Sequence, residues 1–149
     1  MSTSSAPTVP AHVLPQRTPA QLLASARRGL AEAAVTQSDG LRYAAAHMAA
    51  LRAAAAVLAA RARPAPGKRS RVTSVWTLLG MVAPEFHEWA WFFAAAASKR
   101  AAAEAGIRNV VTTREADDLL RAAEQFVALV EEALGRARQP GRDEGAALS

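Results

Sequence analysis

Alanine takes 39 of the chain's 149 positions and comes in runs, three in a row from Ala44, four from Ala53, four from Ala94 and three from Ala101. Such runs have one comfortable backbone. Alanine has the best helix propensity of any residue and offers little to a strand, where branched and aromatic side chains supply the packing. Glycine and proline together fill only 16 positions, so turn residues are sparse too. Helices are the expectation throughout, and no stretch reads as a strand.

A chain of this length holds material for one core and not for two. Its 51% hydrophobic content excludes a wholly disordered protein, and the lack of cysteine excludes disulfide scaffolds, thiolate metal sites and thiol chemistry. Sixteen of the 18 basic residues are arginine, which with so much alanine suggests a GC-rich coding genome. The first 17 residues show neither a basic stretch nor an unbroken apolar run, so no signal peptide is readable. The longest strongly apolar stretch without a charge, residues 89–98, is half of what a bilayer span needs. A soluble, cytoplasmic protein is expected.

Capping signals and apolar spacing divide the chain into a leader over residues 1–17, a bundle over 18–135 and a flexible tail over 136–149. Thr18 before Pro19 is an N-cap followed by proline at the first helical position, opening a helix to about Thr36. A second helix runs from about Asp39 to Ala62 with a stripe of Leu41, Ala44, Met48, Leu51, Ala55 and Leu58. Val72, Val75, Trp76, Leu79 and Val82 indicate a shorter third helix ended by Pro84. The fourth spans about Glu85 to Ala105, with Gly106 as its stop. Thr112 with Glu115 three places later is a capping box, and Ala116, Leu119, Ala123, Phe126, Val127, Val130 and Leu134 carry the fifth helix to about Gly135. Five helices on short connections make an all-α antiparallel bundle, in which alanine permits close approach.

The net charge of +5 is unevenly placed. Residues 1–71 hold ten basic and two acidic side chains, while residues 72–149 hold eight basic and eleven acidic. The densest basic part is Arg61, Arg63, Lys68, Arg69 and Arg71, on a Pro- and Gly-containing loop that suits an acidic partner or nucleic-acid phosphate. It equally suits a solvated helix end, with Arg61 and Arg63 facing the C-terminal dipole.

Glu85 to Phe93 contains five of the eight aromatic residues. On a helix Phe86, Trp89 and Phe93 share a face and Trp91 points the other way. Either this is the central helix, or Trp91 marks a patch that a second subunit covers, with Trp89, Trp91 and Phe92 as interface candidates. No basic residue interleaves them, which weighs against base stacking. The three histidines, His12, His47 and His87, show no metal-ligand spacing, and no phosphate-binding glycine loop or nucleophile elbow occurs. No metal or cofactor is expected.

Two constellations involve arginine. Arg42 and His47 lie five positions apart on one helix, about 140° around it, so they do not converge. His47 borders the apolar stripe as a partly buried structural histidine, and Arg42 faces away from it. Arg108 and Asn109 stand just before a helix N-terminus, where free N–H groups favour anions. Pairing of Arg108 with Glu104 or another local carboxylate is the plain alternative.

The second helix, RYAAAHMAALRAAAAVLAAR, and the RN pair leading into IRNVVTTREADDLLRAAEQFVALVEEAL resemble HEPN (higher eukaryote and prokaryote nucleotide-binding) domains over about residues 18–135, as a small bacterial member would. The resemblance implies a helical bundle, dimerisation, and an Arg-polar pair followed four to six places on by a histidine in the ribonucleases of the family. Arg108 and Asn109 match the pair. Thr113, Arg114 and Glu115 stand where the histidine should fall, and none of them readily replaces it as a neutral-pH acid or base. The expectation is a non-catalytic HEPN-like domain that binds RNA, a nucleotide or a protein partner as a dimer. The alternatives are a metal-independent endoribonuclease using Arg42 with His47, or His47, His87 and Arg108 assembled by folding, and a pure protein-interaction module.

Overall fold

In a computed structural model, which describes residues 8–9, 17–64 and 74–138, the chain forms a five-helix bundle around one inner helix. A two-residue strand β1 (Thr8–Val9) precedes α1 (Pro19–Val35) and α2 (Asp39–Arg61). Strand β2 (Arg63–Pro64), α3 (Val75–Val82), a 3-10 turn (Pro84–Phe86), α4 (His87–Glu104) and α5 (Thr113–Arg138) follow. The proposed flexible tail beyond Arg138, most of the leader, Val72, and Lys68, Arg69 and Arg71 of the basic loop lie outside the described residues.

Local signals set the helix starts. Thr18 accepts from the Gln21 amide while the Gln21 side chain accepts from the Thr18 amide, and Pro19 takes the first helical position. Ser38 and Ser74 cap α2 and α3. Thr112 and Glu115 form the reciprocal pair expected of them, at 2.9 and 3.0 Å. α4 ends in a Schellman turn, with the Gly106 amide on the Ala103 carbonyl and the Ile107 amide on that of Ala102. Gly106 there has φ +83°, a conformation that suits glycine.

Four expectations need correction. Gly135 does not stop α5, which continues to Arg138 with Arg136 paired to Glu132 one turn back. Pro84 opens a 3-10 turn, and α4 begins after it at His87. Two short strands exist, because Pro64 prevents α2 from continuing and leaves Arg63–Pro64 extended beside Thr8–Val9, paired in parallel. The buried surface of α2 coincides with the expected stripe only in part: Ala44 and Leu58 are buried as expected, the other four are not. Leu41 is 56% exposed and Met48, Leu51 and Ala55 are only half-buried, while Tyr43, Ala46, Ala49, Ala50, Ala53, Ala54, Ala56 and Val57 are buried.

That last correction identifies the central helix. α2 packs against α1, α3, α4 and α5, so it is α2, and not the aromatic α4, that is enclosed. By length and hydropathy α2 could cross a bilayer, yet in the fold it is mostly covered by other helices. Small residues let its neighbours in. Gly29 of α1 comes so near that a Cβ there would touch Ala49, and Gly40 of α2 does the same with Ala103 of α4. Trp76, Phe86, Trp89, Phe93 and Phe126 fill the other side of the core as a contiguous aromatic cluster, with ring centroids 5.2 Å apart for Trp76 and Phe93.

Candidate functional site

The α4–α5 connection folds back against the start of α2. Its turn carries Asn109 at φ +59°, a left-handed conformation that asparagine tolerates better than most residues. Together the two segments enclose a groove of about 430 Å³ lined by Ser38, Asp39, Leu41, Ile107, Arg108 and Asn109 among others. Arg108 and Asn109 are exposed there. Arg108 makes no ion pair among the described residues, and Glu104 is held by Arg100 at 2.9 Å instead. The local pairing with Glu104 is therefore not the fate of this arginine.

A polar lattice under the groove fixes its shape. Arg42 is buried, contrary to a position facing away from the core. It donates to Asp117 of α5 at 3.1 Å, to Asp39 at 2.8 Å and to the carbonyls of Thr36 and Gln37. Asp39 accepts a further bond from the Thr113 hydroxyl at 2.8 Å. One arginine thus clamps the α1–α2 turn to the first turns of α5. Sequence spacing could not show this, because its partners lie up to 75 positions away.

Of the three positions where a histidine would stand, two are held by hydrogen bonds and the middle one is exposed. Thr113 is turned to Asp39, and Arg114 stands 3.8 Å from Asp118. Glu115 caps α5 and accepts from Lys99 at 2.6 Å, a bond that holds its carboxyl below the ordinary carboxylate range. None is placed to exchange a proton near neutral pH.

The histidines lie elsewhere. His47 is 1% exposed, more deeply buried than a residue at the border of a stripe. Its ring sits edge-on to Trp76 and Phe93, and its Nε2–H donates to the Phe93 carbonyl at 2.8 Å. A carbonyl can only accept, so Nε2 carries the proton, and Nδ1 is left buried without a partner. Burial pushes its pKa below the ordinary histidine value, outweighing the bond to Phe93. His87 begins α4 and Arg108 follows its end, so these two are about 27 Å apart along an 18-residue helix. Within one chain His47, His87 and Arg108 are not brought together, and neither are Arg42 and His47.

The basic region and the Arg108 corner are also separate. Arg61 ends α2, where it pairs with Glu85 at 2.6 Å, while the Arg108 groove adjoins the start of α2. A helix of 23 residues sets these ends about 35 Å apart. On α4, Trp91 is 71% and Phe92 46% exposed, and Trp89 is half-buried against Phe93 and Phe126. An open groove of about 580 Å³ runs between α3 and α4, walled by Trp76, Met81 and Trp91, with His87 and no Asp, Glu, Lys or Arg in its lining. Among the described residues no three His, Asp or Glu side chains gather as a metal-binding set.

A helical bundle whose last helix is entered through an Arg-polar pair is the class that fold and corner define. The profile of the HEPN_SAV_6107-like HEPN family matches residues 33–131, two thirds of the chain, and the chain belongs to that family. Neither the curated proteins nor the solved structures give a match.

Proposed function

We propose that this chain is a HEPN domain without ribonuclease chemistry that binds phosphate-bearing ligands, RNA or a nucleotide, at the Arg108–Asn109 groove and works as a homodimer. One observation carries it: Arg108, exposed and unpaired among the described residues, stands in a groove at the start of α5, while Thr113 and Glu115, two of the three positions open to a histidine, are tied into structural hydrogen bonds. A guanidinium presents a planar fork of donors suited to phosphate oxygens, and the positive end of a helix beside it adds to the attraction. Family membership supports the nucleotide-related part of this reading.

Arg61 and Arg63, with Lys68, Arg69 and Arg71 beyond the described residues, would be a second contact for a strand long enough to reach across the bundle. A mononucleotide at Arg108 would not feel them. Fluorescence anisotropy with labelled single-stranded RNA and with a labelled nucleotide tests this at two salt concentrations. Arg108→Ala is expected to weaken binding about tenfold, and affinity to fall as salt rises. No binding by the wild-type chain to either probe at low salt, or binding indifferent to Arg108→Ala, overturns the assignment.

A further inference from the structure

Between Trp91 and Ala101 the exposed positions of α4 are Trp91, Phe92, Ala94, Ala95, Ser98 and Ala101, with no charge among them. Solvated helix faces ordinarily carry Lys, Glu or Arg. Here the charges are turned sideways, Lys99 to Glu115 and Arg100 to Glu104. The first half of the face is bulky and the second half small. Trp91 and Phe92 alone leave roughly 250 Å² of aromatic surface uncovered, about a third of what a standard interface takes from each partner. Met81, 62% exposed on the rim of the α3–α4 groove, extends the patch.

We propose that a second copy of this chain docks on this face, the two α4 helices crossing antiparallel about a two-fold axis at Ala95, so that Trp91 of each copy lies over Ser98 and Ala102 of the other. The inference rests on the dimeric reading above and names its surface. A face with a bulky half and a small half complements itself only when turned end to end, and a two-fold axis does that. A parallel pairing would set tryptophan on tryptophan and leave alanines apart. The absence of charge means that two identical faces meet without like-charge repulsion. Small side chains along the second half allow the close crossing that lets Trp91 reach its seat.

The native chain has no cysteine, so one introduced thiol reports one position. Sedimentation velocity of the full chain is expected to show a dimer, and Trp91→Ala to raise its dissociation constant at least about 30-fold with helicity unchanged by circular dichroism. Mild oxidation should link Ala95→Cys into a disulfide dimer and leave Val35→Cys, on exposed α1, unlinked. A wild-type chain that is monomeric at its highest soluble concentration overturns both this surface and the dimeric reading. A dimer that Trp91→Ala does not weaken, or that Ala95→Cys does not link, overturns the surface alone. RNA binding by Arg108 is read separately and stands or falls by itself.

Discussion

His47 shows how one polar atom in an apolar place makes a fold pH-sensitive. Its Nδ1 is buried without a partner and its ring is wedged against Trp76 and Phe93. Protonation would put a charge there, so the folded chain holds the ring neutral below the pH at which the unfolded chain would protonate it. The unfolded state then binds more protons, and stability falls as pH drops below about 6.5 towards the lower folded value. Thermal unfolding is expected to show Tm flat from pH 8 to 7 and falling between about 6.5 and 5, by up to about 1.4 kcal/mol of stability per pH unit. His47→Leu should flatten that slope. A slope that survives the substitution would place the sensitivity in another group. Carboxylates such as Glu85, held low by its bond to Arg61, lose their contribution only at lower pH, below the window used.

Among the elements, α2 decides the architecture. Six of its alanines have no exposed surface at all, and helices on several sides rest on them. Ala50→Leu should therefore overpack the centre and cost about 1–3 kcal/mol by chemical denaturation, whereas the same change at exposed Ala31 of α1 should cost little. Equal costs at the two positions would mean that α2 is not the tightly seated helix described. The starts of α1 and α5 were legible in the sequence because capping is local chemistry: Thr18 beside Pro19, and Thr112 with Glu115 three places on. Which face of α2 is buried was not. Hydropathy favours Leu41 and Met48 over alanine, but closeness of approach selects small side chains for the centre and leaves Leu41 in solvent.

At the scale of the whole molecule, the ends of the bundle have different characters. One carries Arg108 and its groove, the other Arg61 and the described start of the basic loop, and the flank carries the uncharged face of α4. The pair Arg108–Asn109 was visible as a motif before a helix start. The lattice beneath it was not, because Arg42, Asp39, Thr113 and Asp117 come from helices that sequence order keeps apart. The chain is expected to leave single-stranded RNA intact in EDTA over hours at neutral pH, by gel analysis. Cleavage that Arg108→Ala abolishes would return the domain to the nucleases.

The bond from Thr113 to Asp39 also bears on how such a domain could change its trade. The carboxylate that holds Thr113 is the same one that grips Arg42, and Arg42 grips the α1–α2 turn. An imidazole introduced at this place would displace the hydroxyl from Asp39 and loosen the clasp that shapes the groove. A histidine at position 113 would therefore work against the groove it was to serve, whereas one at position 114, where the arginine side chain is 90% exposed and stands off Asp118, would leave the clasp intact.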